Sequence, residues 1–263
     1  MNSIKMYQVD AFTDTLFTGN PAAVCVLHQW LNSEVMQQIA SENNLSETAF
    51  VVKSEQHYEI RWFTPNIEVD LCGHATLAAA YTLFEFYEKD ADEIIFHSHR
   101  SGELIINKSD NDYLTMNFPA DEFEAIPTPE KLIAAIGKRP LETYKGKTDL
   151  MLVFDSEKTV ASLQPNFEAL KEFDYRGIIS TAAGDNCHFV SRFFAPNCGI
   201  NEDPVTGSAH TTLTPYWAKH LNIDKLIAHQ ISGRGGELHC KYLGKRVEIS
   251  GKAVLYLVGD LFY

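Results

Sequence analysis

Arg61-Trp62-Phe63-Thr64-Pro65-Asn66-Ile67-Glu68-Val69-Asp70-Leu71-Cys72-Gly73-His74-Ala75-Thr76-Leu77-Ala78-Ala79-Ala80-Tyr81 runs from an alternating aromatic strand, through Pro-Asn, into a glycine that opens an apolar helix. The progression occurs a second time. Arg192-Phe193-Phe194-Ala195-Pro196-Asn197 is followed by Asp203-Pro204-Val205-Thr206-Gly207-Ser208-Ala209-His210 and a helix-like run ending at Tyr216-Trp217. Pro65 and Pro196 are 131 positions apart, whereas Gly73 and Gly207 are 134 apart, so the second copy carries three extra residues. Ser101-Gly102-Glu103-Leu104 and Gly235-Gly236-Glu237-Leu238 keep the offset of 134, and each leads into an alternating strand. One long, fixed offset signals duplication of a whole domain and not a solenoid of short repeats.

Each half reads as many strands around one apolar helix. In the first half, Tyr7 to Phe12, Ala22 to Leu27, Ala49 to Val52 and Tyr58 to Phe63 have strand composition, and a helix capped at Asn32 or Ser33 ends at Asn43-Asn44. The segment Ala75 to Phe84 is apolar nearly all round, which predicts a helix buried on every side. Strands at Glu93 to Phe96, Glu103 to Asn107 and Tyr113 to Phe118 precede a proline-interrupted linker, Pro119 to Pro129. The second half repeats the order: strands Leu150 to Phe154 and Gly177 to Thr181 flank a helix from Pro165 to Phe173, strand Phe189 to Phe194 follows, Ser208 to Leu221 is the buried helix, and three strands close the chain. The expected fold is α+β, with two pseudo-symmetric domains, each a curved, mostly antiparallel sheet wrapped around a central apolar helix, and a site between them. The boundaries expected are 1–118 and 119–263, with the last few residues returning to the first domain.

Composition narrows the function classes. The 263 residues carry 22 Lys and Arg against 35 Asp and Glu, a net charge of -13, which argues against nucleic acid or an anionic lipid surface as partner. The longest near-apolar run, Ala75 to Phe84, falls short of the roughly 18 residues a membrane helix needs. Met1 to Asp10 lacks a basic start followed by an apolar stretch, and the expected location is the cytoplasm. Five scattered cysteines (Cys25, Cys72, Cys187, Cys198, Cys240) do not form a disulfide framework, and His97 and His99 have no neighbours that complete a ligand set; no metal and no cofactor are expected. Gly233-Arg234-Gly235-Gly236 lacks the Lys-Ser/Thr of a phosphate loop, and Ser208 lacks the Gly-x-Ser-x-Gly frame of a nucleophile elbow.

The chemistry is expected at the two helix starts, Gly73-His74 and Gly207-Ser208. Unpaired amides and the partial positive charge of a helix N-terminus suit a carboxylate, and glycine lets a ligand approach the backbone. Glu47, placed where the chain enters the core, is the candidate general base, because partial desolvation moves a carboxylate toward the neutral pH at which it takes and returns a proton. His74 and Asp203 are the further candidate catalytic side chains, and Gly73, Gly207 and Ser208 the candidate substrate-binding positions. Taken singly, Glu47 also suits a carboxylate pairing with a backbone N–H, His74 a capping or core histidine, and Asp203 a turn former before Pro204.

Together these residues give the chain a resemblance to the PhzF family of phenazine-biosynthesis-like proteins, within the diaminopimelate epimerase-like fold. The likeness covers the full length and rests on Val9-Asp10-Ala11-Phe12, Phe17-Thr18-Gly19-Asn20-Pro21-Ala22-Ala23-Val24, Ser46-Glu47-Thr48-Ala49-Phe50, Leu71-Cys72-Gly73-His74-Ala75-Thr76-Leu77-Ala78, Asp203-Pro204-Val205-Thr206-Gly207-Ser208-Ala209 and Gly233-Arg234-Gly235-Gly236. The resemblance implies a cofactor-free isomerase, usually a homodimer, whose best-known member isomerises trans-2,3-dihydro-3-hydroxyanthranilate. It also implies that Glu47 is the acid-base glutamate and that His74 and Asp203 contact substrate. Related racemases and epimerases of the fold use two cysteines. Cys72 resembles the first, but Val205 stands where the second belongs and cannot carry a proton. The expected activity is therefore proton migration between carbons of a small carboxylate. An epimerase or racemase of an amino or hydroxy acid is the alternative, and a non-catalytic metabolite- or partner-binding protein is a third reading.

Overall fold

The computed structural model describes residues 2–109 and 111–263. Its contacts divide the chain into two compact units, Met1–Asn117 with Ser250–Tyr263, and Phe118–Ile249.

The first unit contains β1 (Ser3–Ala11), β2 (Asn20–Leu27), α1 (Ser33–Asn43), β3 (Glu47–Lys53), β4 (Tyr58–Phe63), the two-residue β5 (Glu68–Val69), α2 (Gly73–Phe86), β6 (Glu93–Ser98), β7 (Gly102–Lys108) and β8 (Leu114–Pro119), through which the chain leaves the unit. The C-terminal strand, Ala253–Phe262, pairs antiparallel with β1. From β1 the sheet continues through β2, β3, β4, β6, β7 and β8; β2–β3 and β4–β6 are parallel, and the other neighbours are antiparallel. Helix α1 makes the crossover that parallel β2 and β3 require. Asn32 caps its first turn by accepting from the Glu34 amide, and Asn44 ends it in the left-handed conformation that asparagine tolerates. Met36, Ile39 and Ala40 of α1 pack on Cys25, Leu27, Phe50, Val52 and Phe63 of the sheet.

Helix α2 is buried along its whole apolar length, from His74 to Ala80 and from Thr82 to Phe84. Its two threonines satisfy themselves internally: Thr76 donates to the Cys72 carbonyl, and Thr82 to that of Ala78. A helix in this position must be narrow, and the run Ala78-Ala79-Ala80 keeps it so.

The second unit repeats this plan. It contains β9 (Glu124–Ala125), α3 (Glu130–Ile136), β10 (Glu142–Lys145), β11 (Asp149–Val153), α4 (Glu157–Ser162), α5 (Phe167–Leu170), β12 (Gly177–Ala183), β13 (Phe189–Ala195), a 3₁₀ turn (Pro196–Cys198), β14 (Ile200–Asp203), α6 (His210–Leu221), β15 (Lys225–Gln230), β16 (Gly236–Tyr242) and β17 (Arg246–Gly251), within which the chain returns to the first unit. β11–β12 and β13–β15 are parallel, as β2–β3 and β4–β6 are, and β12–β13 and β15–β16 are antiparallel like β3–β4 and β6–β7. In both units a short strand hangs on the strand before the buried helix, β5 on β4 and β14 on β13.

Three expectations are corrected. The helix expected over Pro165 to Phe173 is only the four-residue α5, because Asn166 caps it at one end and the chain turns at Lys171; α4 comes before it. The second buried helix begins at His210 and not at Ser208, since residues 207–209 form a tighter turn with bonds three residues apart, from His210 to Gly207, Thr211 to Ser208 and Thr212 to Ala209. The linker holds the short strand β9, which pairs with β10. Pro215 lies inside α6, lacks the amide that would bond Thr211, and leaves that carbonyl to accept from the Asp121 amide at 3.0 Å.

Ala79 has no exposed surface, so Ala79→Leu must displace neighbouring strands. The expected cost is about 1–3 kcal/mol. Thermal unfolding followed by circular dichroism should show a melting temperature lower by several degrees.

Candidate active site

Glu47 is the first residue of β3 and lies in register with Ala22 of the neighbouring parallel strand. Its side chain, 14% exposed, approaches His74, the second residue of α2, with 3.2 Å between Oε2 and Nε2. The approach does not follow a linear hydrogen-bond axis, so the carboxylate stands against the imidazole without being locked to it. On the other side of the ring, Asn20 Nδ2 donates to His74 Nδ1 at 3.2 Å, and Cys72 Sγ lies 3.5 Å from the same nitrogen. An accepting Nδ1 places the ring proton on Nε2, facing Glu47. Burial pushes the His74 pKa down to about 3, so the ring is neutral at physiological pH. Its contact with Glu47 is therefore a dipole facing a carboxylate and not an ion pair.

Local sequence explains the placement. Gly19, at φ +68°, is needed for the turn that brings Asn20 in, because a Cβ there would meet the Ala11 carbonyl oxygen at 2.3 Å. Cys72 is extended and contributes no side-chain cap to α2, so the helix start is capped by neither serine nor aspartate. Glu47, Cys72 and His74 also present one ligand atom each within 4.8 Å of one another, the donor chemistry of a zinc site. The sulfur faces Nδ1 and the carboxylate faces Nε2, however, so no single ring nitrogen faces both groups.

In the second unit, Asp203 ends β14 and accepts a short hydrogen bond from the Thr206 hydroxyl. Gln230 binds three points of the same turn: it accepts from the Thr206 amide at 2.8 Å and donates to the Asp203 carbonyl at 2.8 Å and the Thr206 hydroxyl at 3.1 Å. Ser208 Oγ accepts from Arg176 Nη1 at 2.9 Å, which leaves its own O–H as a donor. Arg176 is held in turn by a bidentate pair with the buried Asp149. Val205 is fully buried.

Glu47 and His74 are thus brought together in the first unit, with Gly73 between the histidine and Cys72. Asp203, Gly207 and Ser208 belong to one turn in the second. Sequence reasoning missed Asn20 and Arg176. Asn20 sits in a Gly-Asn-Pro stretch that reads as a turn, and Arg176 lies more than 25 positions before Ser208 with no motif around it.

Residues 9–259 match the family profile of PhzC-PhzF, phenazine biosynthesis-like protein. The chain belongs to this family. It is 51% identical over 258 residues, 98% of each chain, to an uncharacterized isomerase of Pseudomonas aeruginosa. A solved PhzF-family structure from Enterococcus faecalis superposes with a TM-score of 0.96 over all of both chains at 49% identity. A predicted epimerase from Pseudomonas aeruginosa, 19% identical with a TM-score of 0.77 over 99% of each chain, shares the fold. The PhzF assignment supports an isomerase- or epimerase-type function. Among the described residues no helix is long and apolar enough to cross a membrane.

His210 has no exposed surface, and burial pushes its pKa down to about 4. Both depressed histidines bind a proton in the unfolded chain below about pH 6.5 that they refuse in the folded one, so stability is complete above that pH and declines as pH falls toward 4. The decline is at most ~1.4 kcal/mol per pH unit and histidine. Urea unfolding between pH 7.5 and 4.5 should show it, and His210→Thr should shallow the slope. Nitrogen-15 NMR should find His74 as the neutral Nε2–H tautomer throughout that range.

Proposed function

We propose that this PhzF-family protein is a cofactor-independent isomerase that moves a proton between carbons of a small, conjugated carboxylate. The carrying observation is the Glu47 carboxylate set 3.2 Å from a neutral imidazole whose opposite nitrogen is held by Asn20. Glu47 takes a proton from one carbon as that C–H bond breaks; the electron pair enters the conjugated system, the double bond shifts, and the same proton bonds to another carbon. Neither charge nor oxidation state changes overall. His74 faces Glu47 with its N–H and favours the ionised base before the transfer. The amide at Gly73, where α2 begins, holds the carboxylate, since unpaired helix-start amides attract anions.

Two-base inversion is the weaker reading. Cys72 lies 3.5 Å from Nδ1, which suits a thiol with a base beside it, but the second unit carries no cysteine directly after Asp203-Pro204: Val205 is buried and proton-free, and the Thr206 hydroxyl donates to Asp203.

The test uses heavy water, NMR detection at carbon, and trans-2,3-dihydro-3-hydroxyanthranilate as the first probe, followed by a panel of conjugated amino and hydroxy carboxylates. Glu47→Gln should lower isomerisation by at least about 10²-fold, the scale of a lost general base. Full activity in Glu47→Gln would refute the mechanism. Cys72→Ser should keep most activity; its loss together with inversion of a stereocentre would establish the epimerase reading. A panel that binds but neither isomerises nor acquires deuterium would make the protein a metabolite binder.

A further inference from the structure

The two halves differ in nearly every reacting group, yet they share a set of side-chain contacts that the proposed chemistry does not use. Arg61 on β4 grips Glu68 on β5 with Nε to Oε1 at 2.7 Å and Nη2 to Oε2 at 2.7 Å. Arg192 on β13 grips Glu202 on β14 through the same atoms, at 2.7 and 2.8 Å. Arg61 and Arg192 are 131 positions apart, and Glu68 and Glu202 are 134 apart, the two offsets of the duplication. Each guanidinium also lies over the phenylalanine two residues on, Phe63 at 5.1 Å and Phe194 at 4.8 Å. The three-residue insertion lies between the partners of the second pair, as the 3₁₀ turn and Gly199 at φ +83°, and the pair closes regardless.

A second tie repeats as well. Ser98 and Ser232, 134 apart, accept from the amides of Ser101 and Gly235 at 3.3 and 3.1 Å. The serine turns then reach back to the chain before each glycine: Ser101 donates to the Asp70 carbonyl at 2.6 Å, and Ser232 to the equivalent Pro204 carbonyl at 2.7 Å. A third closes the helix start. Thr76 donates to the Cys72 carbonyl, and its counterpart His210 donates from Nδ1 to the Thr206 carbonyl at 2.9 Å. Each glycine turn is therefore held at three successive points, the acidic residue five positions before the glycine, the carbonyl three before it and the carbonyl one before it.

We propose that Arg61–Glu68 and Arg192–Glu202 are equivalent clasps, positioning residues that fix the two glycine turns and thereby the groups those turns carry. The first clasp sets Cys72, Gly73 and His74; the second sets Asp203, Gly207 and Ser208. Planar, bidentate Arg–carboxylate pairs suit the task because they fix direction as well as distance. Both are largely sheltered from solvent, with Arg61 and Glu68 at 17% and 13% side-chain exposure and Arg192 and Glu202 at 11% and 21%.

The relevance of the turns to reaction rests on the isomerase reading above, so the test avoids substrate. Amide hydrogen exchange on the full-length, ligand-free protein compares wild type with Glu68→Gln and Glu202→Gln, which keep size but lose the charge-assisted fork. Glu68→Gln, which also weakens the 3.2 Å bond from Arg100 Nη2, should raise exchange across residues 70–76 about tenfold while leaving 204–210 unchanged. Glu202→Gln should do the reverse. Iodoacetamide should alkylate Cys72 faster only in Glu68→Gln, and the His74 Nε2–H resonance should move only there. Arg61→Lys and Arg192→Lys, which keep charge without the fork, give the same local pattern at smaller amplitude and serve if a glutamine variant does not fold. Exchange that rises uniformly through the protein, or a turn that stays as protected as in wild type, would overturn the proposal. Failure of the heavy-water assay with an intact exchange pattern would instead refute only the isomerase reading.

Discussion

A helix buried on all sides offers polar chemistry at its ends and almost nowhere else. α2 is buried from His74 to Ala80 and from Thr82 to Phe84, and a charged group on that buried surface would lose its water without a partner. Clustered polar groups therefore find room where the helix begins, at Cys72, Gly73 and His74. Glu47 and Asn20 reach this place because β2 and β3 are adjacent and parallel, so that Ala22 and Glu47 lie side by side at one level of the sheet. Burial then gives His74 its electronic state. Far from water, the ring stays neutral, and Asn20 and Cys72 on Nδ1 leave the proton on the side of the carboxylate.

The second unit uses the same scaffold for different ends. Its helix is entered through a tighter turn over 207–209, and its polar groups are assembled by Gln230 and Arg176. Threonine at 76 and histidine at 210 do one job, bonding the carbonyl four residues back. That equivalence gives His210 a structural role despite its chemistry. Duplication thus preserved the geometry of the turns while their side chains diverged.

Much of this could be read from the chain. The two motifs at offsets of 131 and 134, with the all-round apolar run after Gly73, specified a repeated α+β unit with a buried helix, and the strands around it follow from alternation. The turn composition at Asn43-Asn44 marked the end of α1. Features that depend on pairing across long separations were not visible: β5, β9 and β14 are too short for any periodicity, and the four-residue α5 exists because Asn166 caps it. The start of α6 was misplaced because Ser208 and Ala209 have helical composition, and only the hydrogen-bond spacing separates a 3₁₀ turn from an α-helix. In the site, Glu47 and His74 were accessible through local context. Asn20 and Arg176 act through side-chain contacts 54 and 32 residues away, and nothing in their immediate neighbours records such a partner.

The 3₁₀ turn at Pro196–Cys198 shows how such a duplicated frame can change without failing. Lengthening a surface connection costs little entropy, about (3/2)RT times the logarithm of the length ratio, and here the added residues fold into their own tight turn ended by Gly199. Because they are absorbed before Glu202, the strand pairing of Phe193 with Asp203 is the counterpart of Trp62 with Val69. One half of the protein can therefore serve as an evolutionary testing ground for loop length, with the other half's spacing left undisturbed.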